Sequence, residues 1–87
     1  MASKFQAKII KQYESNGWTV LNIIKLSDNG YPDLLCMKQG EVDTWIECKE
    51  GNDTLKPLQK FRIDQLRKLG KKALCLHNEK GIIYESK

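Results

Sequence analysis

Gly30-Tyr31-Pro32-Asp33-Leu34-Leu35-Cys36-Met37 and Trp45-Ile46-Glu47-Cys48-Lys49 have to be read together, Glu47 lying fourteen positions after Asp33. Asp33 opens a short apolar run with the length and flanks of a buried strand, and the second segment reads as a strand carrying charges where a core would prefer none. Strands alternate faces, so Trp45, Glu47 and Lys49 point one way and Thr44, Ile46 and Cys48 the other. A turn at Gln39-Gly40-Glu41 would join the two as a hairpin, bringing the Asp33 end close to the Lys49 end. Two carboxylates and a lysine then meet at one sheet edge.

Paired hard oxygen ligands of this kind suit Mg²⁺ or Mn²⁺, which take carboxylates plus several waters and bridge to phosphate. A neighbouring lysine can orient a water and stabilise charge on the phosphate. The plainer reading makes Glu47 and Lys49 a pair on the solvent side of a half-exposed strand and Asp33 a turn residue after Pro32. Spacing alone leaves both open.

Working outward, residues 4 to 16 read as a helix whose apolar arc is Phe5, Ile9, Ile10 and Tyr13, closed by Gly17. Gln6 falls inside that arc and needs a partner there. Trp18 to Leu26 reads as the first strand, and Ser27-Asp28-Asn29-Gly30 as a turn in which Asp28 and Asn29 either serve turn chemistry or touch a substrate. Trp18 and Trp45 read as packing residues, with base stacking as the alternative.

Glu50 to Lys56 is a polar connector, and Pro57 suits the first position of a second helix. Leu58, Phe61, Leu66 and Leu69 are expected to form its buried stripe, with Gln59 and Arg62 flanking it and Gly70 ending it. Lys56, Lys60 and Arg67 share an exposed stripe. Lys71 to Leu76 reads as a strand brought back parallel by the crossover, and Glu79-Lys80-Gly81 as a turn before an edge strand at Ile82-Ile83-Tyr84. The expected order is α-β-β-β-α-β-β in a single domain spanning residues 1–87.

Composition narrows the partners. The net charge is +4 over 87 residues, and Lys56, Lys60, Arg62, Arg67, Lys68, Lys71 and Lys72 cluster in a segment whose only acid is Asp64. That is the footprint of a phosphate-binding face, which a solvated helix can also resemble. Cys36, Cys48 and Cys75 lie singly inside apolar runs and read as buried thiols of a reducing compartment; zinc would want close C-x-x-C spacing with a histidine, and His77 is the only one. No run approaches the roughly 18 apolar residues of a membrane span, so a soluble, intracellular protein is expected. A core this small favours oligomerisation.

Gly-Tyr-Pro-Asp, then Glu-Cys-Lys, then Leu58-Gln59 at the start of a helix resembles the PD-(D/E)XK nuclease superfamily, and within it the stand-alone viral type of the virus-type replication-repair nuclease (VRR-NUC) group. The likeness runs from about residue 5 to residue 76. It implies a restriction-endonuclease-like α/β core, a mixed central sheet flanked by helices. It also implies a Mg²⁺- or Mn²⁺-dependent endodeoxyribonuclease acting on branched DNA such as a Holliday junction, working as a homodimer, in a host cytoplasm if viral.

By the same resemblance Asp33 and Glu47 hold the metal together with the backbone carbonyl of Cys48. Lys49 acts on the water, Gln59 orients Lys49 or the phosphate, and Lys56, Lys60, Arg62 and Arg67 face DNA. One departure stands out. The family usually carries a Glu on the first helix, where this chain offers Ala2, Ser3 or Lys4. Gln6 is the nearest polar substitute, unless it is simply satisfied by backbone at the core margin. The alternatives are a non-catalytic nucleic-acid-binding module and a restriction-type duplex endonuclease.

Overall fold

A computed structural model describes residues 3–23 and 29–86. Ser3 starts the first helix, α1 (Lys4–Ser15), its hydroxyl accepting from the Gln6 N–H at 3.0 Å, which satisfies one of the donors a helix start leaves over. Gly17, at φ +90°, ends it and turns the chain back so that Trp18 N–H reaches the Tyr13 carbonyl at 3.1 Å. There follow β1 (Thr19–Asn22), β2 (Leu34–Met37), β3 (Thr44–Glu50), α2 (Pro57–Lys68), β4 (Lys72–Glu79) and β5 (Ile82–Ser86). The order is the expected α-β-β-β-α-β-β. No helix among the described residues is long and apolar enough to cross a membrane.

The strands form one five-stranded sheet in the order β1-β2-β3-β4-β5. Hairpin geometry makes every neighbouring pair antiparallel except β3 and β4, which the α2 crossover sets parallel. On one face Phe5 and Ile9 of α1 pack on Leu34, Cys36, Ile46 and Leu74. On the other, Ile63 and Leu66 of α2 pack on Ala73 and Cys75, with Tyr31, Trp45 and Leu55 alongside. The sheet is therefore covered on both sides, and β2 accordingly carries no polar residue, whereas β3 carries Thr44, Glu47, Lys49 and Glu50.

Three expectations need correction. The first strand is shorter, Thr19–Asn22; its expected Ile24–Leu26 portion, with Ser27 and Asp28, lies outside the described residues, as does Ala2. β4 runs on to Glu79 because His77, Asn78 and Glu79 pair with β5, and His77 and Asn78 with Lys49 and Glu50 too; long-range pairing outweighs their weak strand propensity. The buried stripe of α2 is not Leu58, Phe61, Leu66 and Leu69: only Leu66 is buried, together with Ile63, while Leu58, Phe61 and Leu69 are 44%, 56% and 69% exposed. Ile63 and Leu66 sit one turn apart and fit the small side chains Ala73 and Cys75, and docking on that row rotates the larger side chains outward.

Leu58 nonetheless has a structural use. Gly30 adopts φ +87°, and a Cβ there would lie 2.6 Å from Leu58 Cγ, so the glycine is required both by backbone conformation and by the helix lying against it. Arg62 ties the same segment down, its Nε–H donating to the Asn29 carbonyl at 2.9 Å and its guanidinium lying 4.7 Å from the Tyr31 ring centre. Gly30→Ala is expected to lower stability by at least about 1–2 kcal/mol from the left-handed backbone alone, with the Leu58 collision added. An unchanged melting temperature would contradict this account.

Candidate active site

β2 ends in the hairpin turn at Gln39 and Gly40, where Gly40 has φ +82° and Glu41 N–H closes on the Lys38 carbonyl at 3.0 Å. The turn sets the register Leu34↔Ile46, so Asp33, one residue before Leu34, comes level with Glu47. Asp33 Oδ2 accepts from the backbone N–H of Cys48 at 3.1 Å. This bond fastens the start of β2 to the middle of β3 and fixes the Asp33 carboxylate on the α2 side of the sheet.

Glu47 and Lys49 project to the same side and are 4% and 5% exposed. Lys49 Nζ lies 3.7 Å from Glu47 Oε2 and 3.5 Å from Asp53 Oδ2. Asp53 belongs to the connector after β3, where its N–H bonds to the Glu50 carbonyl at 3.1 Å and curls the chain back over Lys49. The ammonium is thus held from two sides. Sequence reading missed Asp53 because it looked like one more polar linker residue, and its approach to Lys49 depends on the turn closed by the Asp53 N–H on the Glu50 carbonyl, which no local pattern announces.

Glu47 is a carboxyl in an unfavourable place. Burial, the neighbouring Asp33 charge and a carboxyl–carboxyl hydrogen bond with Asp33 push its pKa up to about 8, against the opposing pull of Lys49. The Cys48 thiol is pushed up to about 12, chiefly by burial and then by the Asp33 and Glu47 charges. Burial alone lifts the Cys36 thiol to about 11. Neither thiol is a nucleophile at neutral pH.

This arrangement fits a hard divalent cation. Two crowded carboxylates, one fixed by a backbone N–H and the other buried, lose their mutual repulsion when a cation lies between them. Among the described residues no three His, Cys, Asp or Glu side chains converge as a metal-binding group. Oxygen donors beyond Asp33 and Glu47 would then be backbone carbonyls or waters, and Mg²⁺ usually keeps several waters.

The remaining sequence candidates are more dispersed. Gln6 lies on the α1 side and donates through Nε2 to Asn22 Oδ1 at 3.1 Å. Gln59 is half-buried on α2 and accepts the Lys56 N–H at 2.9 Å through Oε1, capping its own helix. Lys56, at the N-cap of α2, and Lys60, on the helix, are exposed. Arg62 is occupied by Asn29, by Gln65 Oε1 at 3.2 Å and by the Tyr31 ring. Arg67 donates to the Ala73 carbonyl at 2.9 Å. Trp18 packs edge-on against Tyr13 and Trp45 tilts against Tyr31.

The raised Glu47 pKa has a thermodynamic sign. A carboxyl that binds its proton more tightly when folded contributes full stability below its ordinary range near 4.5, and that contribution is lost as the pH rises towards about 8. Glu47→Gln is therefore expected to be more stable than the unaltered chain at pH 8 without divalent cations, and about equal at pH 4.5. The difference should grow by at most about 1.4 kcal/mol per pH unit. Denaturant unfolding of both proteins at several pH values would measure it, and parallel pH profiles would rule it out.

No protein-family model matches the sequence, and no curated protein matches it. Solved structures do match the fold. A VRR_NUC domain superposes with a TM-score of 0.73 at 25% identity, covering 83% of this chain and 78% of that one. Hjc, a Holliday junction resolvase from the archaeal hyperthermophile Archaeoglobus fulgidus, superposes with a TM-score of 0.72 at 13% identity, covering 97% of this chain and 76% of that one. It is the fold of this chain, a five-stranded mixed sheet with a helix on each face, that these two structures match.

Proposed function

We propose that this chain, which has the VRR-NUC and PD-(D/E)XK nuclease fold, is a Mg²⁺- or Mn²⁺-dependent endonuclease that hydrolyses phosphodiester bonds in branched DNA. The observation that carries the reading is the buried corner in which Asp33, Glu47 and Lys49 meet. A structural core gains nothing from crowding two carboxylates out of water, whereas a site for a cation and a phosphate needs them there.

In this reading Asp33 and Glu47 hold the cation, with the Cys48 carbonyl as a further oxygen. The cation, when bound, supplies positive charge to the phosphate and lowers the pKa of water. Lys49 orients the attacking water and donates to a phosphate oxygen as charge builds on it. Glu47 and Asp53 keep the ammonium aimed while it waits. Gln59 contributes by fixing the first turn of α2 next to the connector, and Gln6 by bracing the Asn22 end of β1. Lys56 and Lys60 lie on the basic flank of α2 and draw in the DNA backbone, with Arg67 on the same stripe and Arg62 securing the Asn29–Tyr31 segment.

The same helix supports a homodimer. Leu58, Phe61 and Leu69 are exposed and, at 3.6 residues per turn, fall on the flank opposite Lys56, Lys60 and Arg67. Burying that flank against a second copy leaves both basic stripes open, and a two-fold pair matches the paired strands of a junction. A second reading, a non-catalytic nucleic-acid-binding module, draws on the absence of any acid in the first turn of α1.

Lys49→Ala and Asp33→Ala are each expected to abolish Mg²⁺- or Mn²⁺-dependent cleavage of four-way junctions and flaps while leaving binding within about tenfold. Sedimentation equilibrium on the same samples should show twice the chain mass. Cleavage by both variants would remove the site assignment, no cleavage by the unaltered chain with either metal would favour the binding module, and a monomer that cuts flaps alone would end the junction reading. Lys56→Ala and Lys60→Ala should weaken binding and reduce the salt slope of log K by about one each. Unchanged slopes would move the DNA face elsewhere.

A further inference from the structure

The row of side chains that contains Lys49 continues across the sheet. Lys49 is level with His77 on β4, and His77 is level with Tyr84 on β5. Neighbouring strands lie about 4.8 Å apart, so the Tyr84 backbone stands roughly 10 Å from that of Lys49 on the same face. α2 covers Ala73 and Cys75 further down β4, but Tyr84 is left 43% exposed.

Tyr84 has partners on its ring and on its hydroxyl. Its ring stacks on the buried His77 ring with centres 5.1 Å apart and planes 7° from parallel. His77 is in turn placed by Cys75, Sγ to Nε2 3.5 Å, and Tyr84 Oη donates to Glu79 Oε2 at 3.4 Å. Beside the ring lies a cavity of about 230 Å³ lined by Glu79, Lys80, Ile82 and Tyr84. Lys80, at φ +53°, forms with Gly81 the tight turn that closes one end.

We propose that this ledge binds an unpaired nucleobase of the DNA strand held at Lys49, with the base stacked on Tyr84 against Ile82. The proposal rests on the nuclease reading and deepens it. An aromatic ring and an aliphatic side chain suit a flat π-system, and a pre-stacked ring loses little freedom on taking up another. Glu79 at the rim repels phosphate and accepts from base amino groups, while Lys80 donates to ring nitrogens and carbonyls. A phosphate therefore settles at Lys49 and its neighbouring base at Tyr84, not the reverse. Bases inside a duplex are stacked on one another and cannot enter, so the ledge selects strands with unpaired bases, such as those at flaps and opened branch points.

Fluorescence anisotropy in EDTA, where no cutting occurs, tests this with the full chain and labelled single-stranded DNA, a flap and a blunt duplex. Tyr84→Ala should weaken binding to the single strand and the flap roughly tenfold and leave the duplex unchanged, and Tyr84→Phe should behave as the unaltered chain. Because Tyr84→Ala removes a packing ring, a second arm uses the unaltered chain with flaps carrying a single abasic site at successive positions. One position should lose about the same affinity, and Tyr84→Ala should lose nothing more there. Equal losses on duplex and single strand, or no sensitive abasic position, would overturn the base site. Metal-dependent cleavage with no such sensitivity would retain the nuclease and discard the ledge; failure to bind any of the three DNAs would discard both.

Discussion

Two carboxyls that repel each other are pinned into one corner by a backbone hydrogen bond. The Cys48 N–H holds Asp33 against β3, and the alternation of β3 then leaves Glu47 nowhere to go but the same dry side. Everything around the corner can be understood as containment. Lys49 offsets part of the charge, Asp53 supports Lys49 from the connector, and burial together with the neighbouring Asp33 pushes the Glu47 pKa up to about 8. Such a corner weakens a small fold and is hard to account for unless something positively charged belongs in it.

α2 divides its surface three ways. Ile63 and Leu66 face the sheet, with Gln59 and Arg62 at their margin. Lys56, Lys60 and Arg67 occupy one flank, and Leu58, Phe61 and Leu69 the other. The helix also reaches back to the segment before Asp33, through Leu58 on Gly30 and Arg62 on Asn29 and Tyr31. The element proposed to meet DNA and a partner is therefore the one that braces an acid of the proposed site. Binding on either flank would be felt at Asp33 through side chains rather than across open solvent.

Much of this was legible from the chain itself. The period-two pattern of Trp45 to Lys49 placed Glu47 and Lys49 on one face, and Pro32-Asp33 ahead of an apolar run located the second acid, because strand alternation is a local rule. The fold order was readable for the same reason. The phase of α2 was not, since counting large apolar residues favours Leu58, Phe61 and Leu69, whereas the sheet offers a shallow surface at Ala73 and Cys75 that accepts only the Ile63–Leu66 row. His77 and Tyr84 were invisible beside Lys49 because their place depends on the β3–β4 and β4–β5 registers, which join residues too far apart for any local pattern to connect.

The same alternation limits how a chain like this can change in length. One residue inserted within β3 ahead of Glu47 would exchange the faces of the residues after it, sending Cys48 to the α2 side and burying Glu47 and Lys49 among Phe5, Ile9 and Leu74 unless a bulge absorbed it. The stretch from Gly51 to Lys56 carries no such parity, and neither does the turn at Lys80-Gly81 as long as it stays tight. Length variants of this fold should therefore differ in the connector and at the hairpin tips, while β2 and β3 themselves keep the alternation that sets both acids on one side.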